Sequence, residues 1–449
     1  MFKKFINEIR NVDLNKEVEI TDPLLFDIGA FILLFAFVTF PFVENQYYLF
    51  FNTSISSLRE IWNNVVCGVG LFLLSSRIYL DCPRNKNVIE KYLKDNPIVI
   101  LFSIFVLLMI VSCVINGINE MTIYGDYYRR ESIFVYIGYV VYFFLVVNIR
   151  NIEIKKSILY SLIITSAPTS LIYVIYMLSQ KTVFKFANNM AAFSNSNHAG
   201  YYLVVVSVVT MIASIVCENK FVKTYSFVAY LINVEGLLVN NTLGAQFGFI
   251  LSIPFSIIVL ALTRKKYALL PLIYFGLALL LLYPINVFDN ELYKSIVSSY
   301  TTFYSDVDVI TNTPELMTGA EGTKRIKLWG CTINHISKRP LTGYGIDGTK
   351  DMLMKEVGPM DDRPHNEYLY YAVSFGIPTA IAYLSCIFTI YFRGLFHKKE
   401  LMDYNLIGLI GGFGYCVSAF FGNTMWYTAP FLFILLGYGY FKGNKKIDE

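Results

Sequence analysis

Runs of about 20 apolar residues, the length that carries a helix across a bilayer, recur throughout this 449-residue chain. They are predicted as twelve membrane spans, near 24–43, 62–80, 97–115, 131–148, 157–178, 199–217, 221–239, 243–262, 267–285, 366–392, 404–421 and 427–441. Inside a bilayer every backbone N–H and C=O must be satisfied within the protein, so such runs fold as helices. The fold class expected is therefore an all-α polytopic membrane protein of about 12 transmembrane helices. Only 16% of residues are charged, against about 25% in soluble domains. Aromatic residues also reach 16%, which suits wet–dry interfaces. The first run lacks a short apolar core followed by a small-residue cleavage site, so it reads as an uncleaved anchor.

Lys and Arg set the expected orientation. With the N-terminus in the cytoplasm, the loops on that side hold 22 basic residues. The short loops on the other side hold five: Arg59, Arg129, Arg130, Lys181 and Lys185. This asymmetry predicts both termini inside and a multi-pass protein of the cytoplasmic membrane. The net charge of +4 gives no case for nucleic acid. The seven cysteines show no CxxC spacing, which argues against a disulfide framework or zinc site.

The chain divides into spans one to nine (1–285), one long extracytoplasmic loop (286–365) and spans ten to twelve (366–449). Eighty residues exceed any connector, and long loops are usually functional or disordered. Within this loop TKRIKLWGCTINHISKRP predicts an amphipathic helix near 323–339, with Ile326, Trp329, Ile333 and Ile336 as its apolar stripe. Thr323 is its expected cap, Pro340 its stop, and the membrane surface its expected resting place. A glycine-rich turn, LTGYGIDG, follows.

Several motifs stand in order around this loop. They are Arg325; Trp329; Pro340-Leu-Thr-Gly-Tyr-Gly345; His365-Asn366-Glu367-Tyr368-Leu369; and Gly376-Ile377-Pro378. Upstream lie Arg129-Arg130-Glu131-Ser132 and Phe193-Ser-Asn195-Ser-Asn197. Together, over roughly residues 120–440, they resemble the O-antigen ligase and polymerase superfamily of membrane enzymes. The resemblance implies a GT-C-like fold and transfer of a glycan from an undecaprenyl-diphosphate-type carrier to an acceptor hydroxyl. That acceptor is a lipid, a glycan or the cell wall, and the reaction belongs to the outer face of the membrane. Ligase and repeat-unit polymerase are both consistent with it. One departure is clear: many members carry an Arg in a T-x-S-R segment, where this chain has Thr242-Leu-Gly-Ala-Gln246.

The implied chemistry gives residues their expected roles. Negative charge grows on the diphosphate as the glycosidic bond breaks, and guanidinium groups stabilise it through paired hydrogen bonds. Arg325, Arg129, Arg130 and Arg363 are the expected diphosphate ligands. His365 is the expected general base, kept neutral by neighbouring Arg. Asn197, Asn366 and Glu367 are expected glycan contacts, although Asn195 and Asn197 serve equally as helix caps. Taken singly, Arg129 and Arg130 read more readily as interfacial anchors. No metal or other cofactor is expected. The alternative reading is a lipid-linked glycan flippase or other polytopic transporter. The absence of repeated halves and the clustering of polar residues at one face disfavour it.

Overall fold

The computed structural model describes residues 23–51, 55–81, 96–179, 193, 195–240, 242–289, 301 and 325–442. Sixteen α-helices lie among them, and every predicted span but the tenth falls on one. The chain begins with α1 (Pro23–Phe51), α2 (Ser56–Asp81), α3 (Pro97–Ile115), short α4 (Glu120–Tyr124) and α5 (Ile133–Asn148). It continues with α6 (Ile152–Ser179), α7 (Ser196–Val216), α8 (Lys220–Asn240), α9 (Leu243–Thr263) and α10 (Leu270–Asp289). Beyond them lie α11 (Arg325–Lys338), α12 (Lys350–Glu356), α13 (Glu367–Phe375), α14 (Ile377–Phe396), α15 (Asp403–Ser418) and α16 (Ala429–Gly439).

Ten helices among the described residues are long and apolar enough to cross a membrane; α5 and α16 are shorter and equally apolar. The chain is an all-α polytopic membrane protein. Helix α7 forms its axis, with its membrane window buried along its whole length between α8, α9 and α15. Its run of Val, Ser, Ala and Thr explains the position. Without a hydrophobic drive between helices in lipid, close packing of small side chains and internal hydrogen bonds hold them together. Thr210, for example, bonds back to Val206 and accepts from Asn233 of α8 at 3.2 Å. Outward-facing Leu107, Leu280 and Phe388 meet the surrounding medium.

Two expectations are corrected by long-range packing. The tenth predicted span, 366–392, is two helices broken at Gly376, whose φ is +92°. The break leaves backbone groups without helical partners, and the PLTGYG loop supplies them. Tyr344 N–H donates to Val373 O at 3.0 Å, Gly345 N–H to Ser374 O at 2.7 Å, and Ile377 N–H to Pro340 O at 2.8 Å. Ser112 of α3 adds hydroxyl bonds to Thr342 O and Ser374 O. Irregular backbone survives near a membrane only when buried in protein this way. A Cβ on Gly376 would fall on the Leu341 carbonyl, and one on Gly343 would lie 2.5 Å from Ser374 O. Gly376→Ala is therefore expected to destabilise the protein by about 2 kcal/mol or more, from left-handed strain and that clash. Gly276→Ala on α10, where a Cβ meets nothing, should be neutral or slightly stabilising. Thermal unfolding of both variants in detergent checks this.

The amphipathic loop helix forms as α11, but with a different face inward. Leu328, Thr332, His335 and Ile336 are buried, while Ile333 is 55% exposed. The helix packs on α12 and α13, so protein covers it where the sequence suggested a membrane surface. Its expected cap, Thr323, lies outside the described residues, as does most of 290–324.

Candidate functional site

Helix α11, the start of α13 and the turn before α16 converge on His365. This residue has φ +50°, and its backbone N–H donates to Asn423 Oδ1 at 2.9 Å. One residue earlier, the Pro364 carbonyl accepts from Trp329 Nε1 at 2.9 Å. One residue later, Asn366 caps α13 by accepting from Leu369 N–H at 3.0 Å. The His365 backbone is thus fixed from α11, from α13 and from the turn before α16. Its imidazole makes no hydrogen bond to a described residue. Burial is the larger cause, and Arg325 and Arg129 the next, that hold this imidazole down to about 4. The sequence credited Arg alone for that direction; exclusion of water contributes more.

Non-glycine residues with positive φ cost roughly 1–3 kcal/mol each and gather where function over-determines the backbone. Among the described residues they are Arg130, Asp347 and His365. All three lie in this one neighbourhood.

The arginines divide by partner. Arg363 is 1% exposed, with Nε on Asp347 Oδ1 at 2.6 Å and Nη2 on Asp347 Oδ2 at 2.8 Å. Its Nη1 reaches Glu131 and, at 3.2 Å, Thr424 O. The guanidinium also stacks 4.4 Å over the Tyr370 ring. Burial opposes the charge, yet Asp347, the Tyr370 and Tyr136 rings and Glu131 hold its pKa well above the ordinary value. Arg363 is a buried strut. Expected as a diphosphate ligand, it has every nitrogen engaged by buried partners in this structure.

Arg129 is held differently, by two bonds to Asp362 at 2.8 and 2.6 Å. Burial works against this pair, but the paired hydrogen bonds raise the Arg129 pKa and lower that of Asp362. Asp362 keeps 13% of its side chain exposed, so the pair borders the site where Arg363 lies beneath it. Arg130 pairs with Glu60 and Tyr127 O at the rim. Arg325 opens α11 and stands 5.9 Å over the Phe421 ring. That ring packs against Gly244 and stacks on Phe247, so Arg325 sits beside the segment that lacks an Arg of its own.

Two expected glycan contacts have protein partners of their own. Asn366 spends its side-chain oxygen on the α13 cap. Glu367 is fully buried, accepting from Tyr383 Oη at 2.6 Å and Tyr415 Oη at 3.4 Å. Asn197 stays half-buried in the first turn of α7, where Asn195 Oδ1 accepts its N–H at 2.8 Å.

Several site residues were given no role from the sequence: Glu131, Asp347, Asp362, Asn423, Thr424 and Tyr427. Tyr427 bonds the Nδ1 of His198, a buried imidazole within electrostatic reach of Arg129 and His365. The signal was the polar run GNTMWYT between two apolar stretches. Arg59, counted as a loop charge, is instead buried in α2. It pairs with Glu44 at 3.3 Å and is boxed by Phe40, Phe193, Trp426 and Tyr427 at 5.1–5.7 Å. Among the described residues no three His, Cys, Asp or Glu side chains are grouped to hold a metal ion.

Residues 227–384 match a family model described as O-Antigen ligase. The matched stretch runs from α8 into α14 and contains Arg325, the glycine loop and His365. No curated protein matches the chain.

Proposed function

We infer, from its place in the O-antigen ligase and polymerase superfamily and from the His365 site, that this membrane enzyme transfers glycan from a polyprenyl diphosphate to an acceptor hydroxyl. The observation that carries the reading is an imidazole with no hydrogen bond to a described residue, kept neutral by burial and by the charges of Arg325 and Arg129. Neutral imidazole is the form that accepts a proton.

In the proposed step His365 takes the acceptor proton as the acceptor oxygen attacks the anomeric carbon. The bond from that carbon to the phosphate oxygen breaks, and the lipid diphosphate leaves with the electron pair. Arg325 and Arg129 stabilise the growing negative charge, Arg129 by exchanging Asp362 for phosphate oxygens. Asn197 remains a proposed glycan contact, while Arg130 lies further out on the rim. The guanidinium groups provide the cationic charge, so the reaction is proposed to need no metal. The same step serves a ligase, with a lipid or wall acceptor, and a polymerase, with a carrier-linked glycan.

The test mixes purified protein, a polyprenyl diphosphate glycan and an acceptor in the presence of chelator. Product should form. Arg325→Ala should cut kcat/KM by about 10²-fold or more while the fold persists, and Arg325→Lys should rescue little, because the ammonium lacks the planar fork. Full activity in Arg325→Ala would remove its phosphate role. Loss of native activity with chelator would remove metal independence. Carrier movement across vesicles without product would favour a flippase.

The site is proposed to face the outside of the cytoplasmic membrane, with both termini inside. On a cysteine-free background, a cysteine at Met360, which is 84% exposed, should react with an impermeant thiol reagent in whole cells. One at Lys265 should not. The opposite pattern would invert the topology.

A further inference from the structure

Beside the His365 site, a cavity of about 190 Å³ opens between the α3–α4 loop and the glycine loop. Asp347 forms part of its wall, and the same residue's carboxylate grips Arg363. The cavity and the site are therefore built on one shared residue. We propose that this cavity is a subsite for one uncharged sugar residue of a glycan handled by the enzyme. The proposal rests on the glycan-transfer reading above and adds to it a place and a charge preference.

Size argues first. Sites for drug-sized ligands run to roughly 300–1,000 Å³, so this cavity takes a single small ring of a longer chain. Chemistry argues next. A sugar presents hydroxyl groups that both donate and accept, and the lining answers both. Asp351 is exposed in the first turn of α12, with no hydrogen bond or ion pair to a described residue, and its carboxylate accepts. Asn119 uses its side-chain oxygen on the α4 cap and on Thr122 Oγ1, which leaves its amide N–H groups to donate. Tyr344 contributes an aromatic ring held by Arg339, whose guanidinium lies 4.7 Å from the ring centre. Arg339 in turn bonds Asn116 Oδ1 at 3.0 Å, tying the two walls together.

Charge decides the class of sugar. Asp347 and Asp351 line the cavity, and Lys350 is the basic residue among the described lining. Lys350 is committed to Asp126. Asp347 is already neutralised by Arg363, so a phosphate or uronate would meet the free carboxylate of Asp351 and a cation already taken, whereas a neutral hexose or N-acetylhexosamine meets only hydrogen-bonding groups. Glycine lets the two walls approach. Gly117 and Gly345 have φ of +87° and +81°, and a Cβ on Gly345 would press on Asn116 at 3.3 Å.

Calorimetric titration of the purified full-length protein with maltotriose, chitotriose and trigalacturonate tests the proposal. At least one neutral trisaccharide should bind, and trigalacturonate should bind about tenfold more weakly or not at all. Asp351→Asn and Tyr344→Ala, each checked for an unchanged melting temperature, should weaken the neutral sugar about tenfold, the first by replacing a charged acceptor with a neutral one and the second by removing the aromatic face. His365→Ala should bind the sugar as the native protein does. No neutral binding at millimolar concentration, equal binding of trigalacturonate, or unaltered binding in both cavity variants would overturn the subsite. None of those results touches the transfer reaction. Conversely, full transfer by His365→Ala would remove the base and leave the subsite standing. In the transfer assay, a raised KM for donor or for acceptor in Asp351→Asn tells which glycan occupies the cavity.

Discussion

His365→Ala is expected to leave a folded, membrane-inserted protein whose glycan transfer falls by roughly 10²–10⁴-fold, the usual contribution of a positioned general base. The fold should survive because the local backbone is held by contacts the imidazole does not make. Trp329 holds the Pro364 carbonyl, Asn423 holds the His365 N–H, and Asn366 caps α13. Removing the ring costs its packing but strands no hydrogen-bond partner among the described residues. His365→Gln should bind donor and still fail to turn over.

The acid limb of the pH profile gives an independent check. His365 is depressed to about 4 in the empty site, so its basic form predominates above that value and is lost as pH falls through it. The kcat/KM profile, which reports free enzyme, should therefore stay flat down to about pH 5 and fall near 4. A bound diphosphate offsets the Arg325 and Arg129 charges that depress the imidazole, so the acid limb of kcat should sit at higher pH. Equal limbs in the two profiles would mean that the diphosphate does not reach those arginines. Full activity in His365→Ala at neutral pH would end the base assignment.

Sequence reading reached different depths for different parts of this molecule. Spans were legible because the bilayer imposes one length and one polarity on every crossing helix. The split at Gly376 was not. A Gly-Ile-Pro inside an apolar run reads as a continuous helix until residues 340–345 arrive to bond the open turn. Helix α11 was legible as a helix but not in phase, because amphipathicity does not say whether lipid or protein covers the apolar face. At the site, His365 and Arg325 stood in recognisable motifs. Arg363 stands in none of them; its charge and its place outside the predicted spans alone suggested a ligand. Its partners Asp347 and Glu131 come from the glycine loop and the start of α5. Only assembly of those elements makes a strut of an arginine that looked like a ligand.

That reassignment predicts opposite outcomes for two arginines of similar appearance. Arg325→Ala should lose activity and keep the fold; Arg363→Ala should lose the fold. Arg363 is paired with two carboxylates, and both are buried, Glu131 fully and Asp347 to within 5%. Deleting the guanidinium leaves two uncompensated charges, each hydrogen-bonded only by neighbouring Tyr and Thr hydroxyls such as Tyr370 and Thr424. Breaking a buried ion pair from one side costs about 3–5 kcal/mol, and here one cation serves two anions. A large fall in melting temperature, with little monodisperse protein surviving extraction, is the expected result. Arg363→Lys should recover only part of the loss, since a single ammonium cannot span both faces of Asp347 and still reach Glu131. The decisive measurement is thermal unfolding in detergent, with gel filtration, for Arg363→Ala beside Arg325→Ala. An Arg363→Ala protein as stable as the native one but inactive would return Arg363 to the list of substrate ligands. The Asp347 and Glu131 pairing would then be a resting state that the diphosphate displaces.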